Sequence, residues 1–230
     1  MIHAALDTSQ GVALAIADGP RLAFVGTLAR QGRAHDRELL PWLEAAFAEA
    51  GTTPGAVRRW SLGLGPGSFS GVRTGIAVVK GIAMASGAAY RGLPSSLALA
   101  LSLEGLPATP LTIGVLHDGR CDQVILSRFQ WSDGVLKPLG EPVAEGAEGL
   151  VSAALVCDRY VTAQAEPVLE LLPAPLRERT ATRDGIDARH LLEVAGWPWP
   201  TAAAAMEAST EPVYVRPPVF VTPRSPRPLP

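Results

Sequence analysis

The feature that most constrains this chain is a run of glycines at the junction of an expected strand and an expected helix. Gly63-Leu64-Gly65-Pro66-Gly67-Ser68-Phe69-Ser70-Gly71-Val72-Arg73-Thr74-Gly75 continues from the strand-like stretch Arg59–Leu64. A helix is expected from about Val72 to Ser86, stopped by Gly87. Glycines 65, 67 and 71 free the backbone for conformations that a Cβ would block. Backbone N–H groups ahead of a helix N-terminus can also hold an anion. The segment lacks the Lys-Ser/Thr ending of a Walker A loop and the spacing of a dinucleotide fingerprint. Two readings stay open: a tight ligand-free turn, or the edge of an anion or nucleotide site formed by Gly65, Gly67 and Ser68. Ser68 and Ser70 do not sit in a Gly-x-Ser-x-Gly elbow, which argues against a serine hydrolase.

Upstream, Ile2–Leu6, Val12–Ala17 and Arg21–Leu28 read as three strands joined by tight turns, Asp18-Gly19-Pro20 being the strongest turn signal. From Asp36 to Ala50 the period changes, with Leu39, Leu40, Leu43, Ala46, Phe47 and Ala50 at helical spacing. Asp36 is the expected N-cap and Gly51 the stop, and Pro41 delays or bends the helix. The order is βββαβα. The second helix carries Ala77, Gly81 and Ala85 four apart, a stripe that admits another helix backbone.

After the loop Glu104–Pro110 the order weakly repeats. Strands are expected at Leu111–Leu116, Gln123–Phe129 and Val135–Leu139, with turns at His117–Arg120 and Ser132–Gly134. A helix at Glu145–Ala154, a buried strand at Leu155–Cys157 and helices at Pro167–Leu172 and Asp187–Ala195 complete the unit. Two βββαβα-type lobes imply an α/β fold of the actin, Hsp70 and sugar-kinase (ASKHA) kind. The expected division is an N-terminal lobe over 1–103, a smaller degenerate lobe over 104–216 and a proline-rich tail over 217–230.

That frame suggests further candidates. Asp7-Thr8-Ser9 stands in the first turn, where a metal-binding aspartate and phosphate-contacting hydroxyls belong, and Asp118 stands in the equivalent second turn. A turn-stabilising aspartate explains both positions as well. The second turn lacks small glycine and hydroxyl residues, and Asp158–Gln164 contains no glycine for an adenosine turn, so an active kinase is disfavoured. The four histidines are scattered without ligand spacing, and Cys121 and Cys157 form no cluster, so no metal and no cofactor is expected. Net charge is −2, with no excess of cations for nucleic acid. The apolar stretch Gly75–Tyr90 is too short to span a bilayer, and a cytoplasmic location is expected.

Five segments together carry a resemblance. They are Ala5-Leu6-Asp7-Thr8-Ser9, His35–Pro41, Gly65–Gly75 with Lys80-Gly81-Ile82-Ala83 behind it, Pro94-Ser95-Ser96-Leu97, and Glu211-Pro212-Val213-Tyr214-Val215-Arg216. In that order the chain resembles the TsaB (YeaZ) family, densely over residues 2–100 and thinly across the middle. The resemblance implies a non-catalytic subunit beside TsaD, which transfers a threonylcarbamoyl group to adenosine in ANN-decoding tRNAs. TsaE joins that assembly, tRNA is met through the complex, and the subunit forms a homodimer when alone. TsaD holds its metal on a His-x-x-x-His pair, and Ser96 and Ala100 stand at the equivalent positions. The family pairs through its first two helices, which nominates Leu39, Leu43, Phe47, Ile76, Ala77, Val79, Lys80, Gly81 and Ala83 for the partner interface. Those rows exceed what one lobe buries, although some must face its own sheet. The alternative is a free-standing enzyme on the same fold, a metabolite kinase, an ATPase or a peptidase.

Overall fold

Three strands open the chain: β1 (Ile2–Asp7), β2 (Val12–Asp18) and β3 (Arg21–Leu28) form an antiparallel meander. β4 (Arg59–Gly63) then pairs parallel to β1, and β5 (Ala89–Leu93) parallel to β4, giving the order β3-β2-β1-β4-β5. The computed structural model describes residues 1–28, 35–152 and 156–215, with the side chains of 35–37 left aside. Expectations that fall on 217–230, and on the Leu155 end of the Leu155–Cys157 strand, lie outside the described residues.

The second sheet repeats the first. β6 (Leu111–Arg120), β7 (Gln123–Ser132) and β8 (Val135–Pro138) are antiparallel, while β10 (Arg159–Thr162) and β11 (Thr180–Thr182) add parallel on the far side of β6. Numbered from its own first strand, each sheet reads 3-2-1-4-5. This is the duplicated ASKHA architecture. β9 (Val143–Glu145) is an addition that pairs with Val124–Leu126 of β7.

Helices fill three layers. α1 (His35–Glu49, with Pro41 inside it) and α2 (Phe69–Ser86) cover the outer face of the first sheet. Leu39, Leu43, Phe47, Val79 and Ala83 meet Leu14, Ile16, Trp60 and Leu62 there. Fully burying a side chain of this size stabilises by about 1.5–3 kcal/mol. Between the sheets runs α3 (Ser95–Leu101), packed with Ala5, Ala15, Ile113, Val115 and Phe129 in one shared core. A third core lies behind the second sheet, under the short helices α4 (Ala147–Leu150), α5 (Ala165–Leu169) and α6 (Ala174–Arg177). Small residues in β1 and β2, notably Ala4, Ala5, Ala13 and Ala15, let the first sheet be covered closely on both sides.

Several expectations are corrected. His117–Arg120 is no turn: β6 continues through it, and the chain reverses at Arg120, Cys121 and Asp122, all at positive φ. The ladder pairs His117 with Ile125 and Asp118 with Val124, which outweighs the Asp-Gly turn signal. The helix expected over Glu145–Ala154 shrinks to α4, because Val143–Glu145 is held as strand by β7. The buried strand lies at Arg159–Thr162, two residues past Cys157. Pro167–Leu172 gives way to α5, and Asp187–Ala195 to a single 3-10 turn at Ala188–Leu191, capped by the Asp187 carboxylate. β5, α3, β11 and α7 (Ala203–Ala208) were not anticipated as elements.

The segment after that 3-10 turn is fastened by Arg91 of β5. Its guanidinium donates to the carbonyls of Leu192 and Trp197 and, through Nε, to Ser61 Oγ at 3.2 Å, while stacking on Trp199 at 4.2 Å. Burial brings its pKa down to about 10, so it keeps its charge at neutral pH.

α2 is seated by glycine. A Cβ on Gly71 would stand 2.2 Å from the Thr8 carbonyl oxygen, one on Gly67 2.4 Å from that of Ser9, and one on Gly75 2.3 Å from Thr8 Oγ1. Gly71→Ala is expected to destabilise the protein by about 3 kcal/mol, because backbone lies in the way. Gly81→Ala, with nothing within 4 Å of the added carbon, is expected to stabilise by about 0.5–1 kcal/mol. Urea unfolding of both variants distinguishes close packing from a merely flexible hinge.

Candidate functional site

The close approach of α2 to the first turn decides what Asp7, Thr8 and Ser9 can do. Thr8 Oγ1 donates to the Gly71 carbonyl at 2.8 Å, and Ser68 N donates to the Ser9 carbonyl at 2.6 Å. Ser9 N and Ser9 Oγ both donate to Asp7 Oδ1, at 2.8 and 2.7 Å. Asp7 is buried, and its Oδ2 occupies the space where a Cβ of Gly63 would be. That oxygen has no partner of good geometry, although the Ser95 hydroxyl is near enough to pull the carboxyl's pKa down. Burial outweighs Ser95 and Ser9 and pushes Asp7 above the ordinary carboxylate range. Gly65 sits at φ +91 and exchanges hydrogen bonds with Ser95, its N–H to Ser95 Oγ and its carbonyl from Ser95 N. The Thr8 and Ser9 hydroxyls and Gly65 are thus engaged inside the fold, while Gly67 and Ser68 remain at the surface.

A cleft of about 580 Å³ opens between the sheets, lined among others by Ser9, Gln10, Gly67, Ser68, His117 and Asp118. Four sequence candidates, Ser9, Gly67, Ser68 and Asp118, therefore share one surface, while Asp7, Thr8 and Gly65 stay outside its lining. Ser68 caps α2, accepting from Gly71 N at 3.2 Å. Asp118 holds its own hairpin, Oδ1 accepting from Arg120 N at 2.7 Å and its N–H donating to Gln164 Oε1 at 2.9 Å.

Two residues of this cleft escaped the sequence reading. Gln10 reaches from the first sheet to His117 of the second, Nε2 to Nδ1 at 2.6 Å. His117 is buried, its Nε2 has no partner among the described residues, and burial lowers its pKa to about 4, so the ring is neutral. Only the pairing of the two sheets brings Gln10 and His117 together, which no local pattern could announce. His3 is structural, as read: Nε2 meets Ser61 Oγ at 3.2 Å and Nδ1 meets Glu193 at 3.1 Å.

The two-helix face divides cleanly. Leu39, Leu43, Phe47, Val79 and Ala83 belong to the lobe's own core, and Ile76 packs half-buried against it. Outside remain Ala77, Gly81 and Ala85 on α2, with Met84 88% and Leu40 55% exposed. Lys80 is half-buried and donates to Glu207 at 2.6 Å, a carboxylate that Tyr90 also engages. At the N-terminal end of the same face Arg73 lies 3.9 Å over the Phe69 ring and donates through Nε to the Tyr214 hydroxyl at 3.0 Å. Phe69 and Tyr214 are exposed, and the aromatic and cationic character of this corner was legible only as scattered letters.

On α3, Ser96 and Ala100 are both buried, presenting a hydroxyl and a methyl. Neither can hold a transition metal in place of an imidazole, so the metal of TsaD does not fit here. Among the described residues no group of three His, Cys, Asp or Glu side chains converges as a metal site, and no helix is long and apolar enough to cross a membrane.

A family model described as "TsaD: tRNA N6-adenosine threonylcarbamoyltransferase" matches residues 28–167, more than half of the chain. The chain belongs to the TsaD family. Within it, the similarity is to members named TsaB and YeaZ. The tRNA threonylcarbamoyladenosine biosynthesis protein TsaB of Escherichia coli (strain K12) is 31% identical over 116 residues, which is 46% of this chain and 50% of that one. The TsaB protein of Haemophilus influenzae is 25% identical over 152 residues, 60% of this chain and 63% of that one. The chain thus spans half to under two thirds of these relatives' length. A crystal structure from Pseudomonas aeruginosa, of a protein described as similar to peptidase YEAZ, superposes with a TM-score of 0.71 at 26% identity, covering 94% of this chain and 99% of that one. Structural likeness to the family therefore continues through the second lobe, where sequence likeness fades.

His117 yields a test. Its pKa is lower in the folded protein than the ordinary 6.5, so it contributes stability above pH 6.5 that is lost as pH falls toward about 4. The full loss amounts to about 3 kcal/mol. His117→Gln is expected to flatten that part of the acid slope in urea unfolding between pH 7.5 and 4.5. His3, also lowered to about 4, leaves the remaining slope.

Proposed function

We propose that this chain is a non-catalytic subunit of the cytoplasmic machinery that makes threonylcarbamoyladenosine in ANN-decoding tRNAs, acting as scaffold and activator for TsaD. The observation that carries this reading is the outward face of α1 and α2. Met84 of α2 and Leu40 of α1 are exposed, as are Ala77, Gly81 and Ala85 of α2, small residues that let a partner helix approach closely. An interface of about 800 Å² per partner is ordinary for a stable pair. TsaD occupies this face in the complex, and a second copy of the chain occupies it when TsaD is absent. TsaE joins the assembled pair, and tRNA is met through the complex.

The absence of chemistry of its own is supported by the way Asp7, Thr8 and Ser9 are engaged internally, and by the hydroxyl and methyl at Ser96 and Ala100. Activation then consists of holding TsaD in a competent conformation, a population shift in the partner rather than a step on substrate.

Ala77→Glu and Gly81→Asp are expected to abolish co-elution with TsaD on a sizing column and to reduce tRNA modification in a reconstitution with TsaD, TsaE and activated donor. Both variants should unfold as cooperatively as the parent. Undiminished association with TsaD, or tRNA modification or Asp7-dependent ATP turnover by the chain alone, would overturn the reading.

A further inference from the structure

β7 alternates its side chains across the second sheet, and Ile125, Ser127 and Phe129 share the face that looks toward the first sheet. Ile125 lines the inter-sheet cleft already described. Ser127 and Phe129 line a second, separate cavity of about 270 Å³, closed from the other side by the first turn of α3. Pro94, Phe129, Pro142, Trp197 and Val213 supply an apolar wall. Two hydroxyls interrupt it: Ser96, 1% exposed, and Ser127, 3% exposed. Neither Oγ has a hydrogen-bond partner among the described residues.

Two orphaned hydroxyls in one apolar cavity are unlike the other buried serines. Buried serines elsewhere are paired: Ser61 with His3 and Arg91, Ser9 with Asp7, Ser95 with Gly65. An unpaired buried hydroxyl is costly, and the cost disappears when a ligand supplies the missing partner. The two charged lining residues, Arg128 half-buried and Glu141 exposed, have opposite signs, so the cavity favours neither anion nor cation. Its volume is ample, since a cavity of about 150 Å³ already holds benzene. An apolar body with one polar group is the usual complement of such a lining.

We propose that this pocket is a small-molecule site for a compact, uncharged compound with an apolar or aromatic body and one hydroxyl, bonded by Ser96 and Ser127. The ligand's hydroxyl both donates and accepts, so it can pair with a serine in either sense. The site is independent of the α1 and α2 face, and its failure leaves the proposed pairing with TsaD untouched.

Phenol and toluene, nearly equal in size, separate the hydroxyl from the apolar contribution. Each is titrated into the full chain while backbone amide resonances are followed by NMR. Phenol is expected to give saturable shifts at residues 94–97, 127–129 and 140–142 and to bind about five- to tenfold more tightly than toluene. Ser96→Ala and Ser127→Ala should each bring phenol toward the toluene affinity and leave toluene binding unchanged. Their unfolding midpoints should hold or rise, because the deleted hydroxyls have no partner among the described residues. Equal affinities for the two probes, insensitivity to both substitutions, or no saturable shift would overturn the proposal.

Discussion

The contact on which the rest of this molecule depends is the seating of α2 against the Asp7-Thr8-Ser9 turn. Glycines 67, 71 and 75 remove the carbons that would collide with Thr8 and Ser9, and Thr8 Oγ1 and Ser68 N close the gap with hydrogen bonds. That one approach fixes the helix over its sheet and aims its outer stripe at solvent. It also takes Thr8 out of the lining of the cleft and engages the Ser9 hydroxyl with Asp7. In a two-sheet frame of this kind the first turn is a natural place for phosphate, and here it serves as a shelf for a helix. Packing and ligand binding compete for the same few atoms, and packing has them.

The electrostatics agree. Asp7 is pushed up by burial, His3 and His117 are pushed down to about 4, and Cys157 is pushed up to about 11. Each shift comes first from desolvation, which disfavours charge. His3 does stand between the Ser61 hydroxyl and the Glu193 carboxylate, but Ser61 is fully buried and also accepts from Arg91, so this group serves the packing of the first sheet. The exposed features lie elsewhere, in apolar and aromatic side chains on α1, α2 and the 211–215 segment. Such surfaces make contacts with other macromolecules.

The first four strands and two long helices of the first lobe were legible to within a few residues, because their signals are local, while β5 and α3 escaped. β1 and β2 are short apolar runs, the turns contain glycine, and α1 and α2 hold apolar residues at helical spacing. The second lobe was legible in order and poorly in extent. Its helices α4, α5 and α6 are of four or five residues, α5 and α6 contain proline, and Val143–Glu145 is strand only because β7 lies beside it. A four-residue helix leaves no periodicity to read. The duplication itself becomes secure only in the sheet order, which is a long-range property. For the site, residue types were legible and their engagement was not. Thr8 and Ser9 carry the hydroxyls a phosphate site needs, and only coordinates reveal that Gly71 and Asp7 have taken them. The helix rows likewise mixed core positions such as Leu43 and Phe47 with outward ones such as Ala77 and Gly81.

Arg91 suggests how such a frame tolerates drift. It grips the C-terminal segment by the carbonyls of Leu192 and Trp197, groups that every residue carries whatever its side chain. Apart from its stack on Trp199, the clamp reads main chain in that segment, so most letters around it are free to change while the path of the chain is kept. That is one physical route by which a lobe can keep its shape after its sequence has ceased to be recognisable.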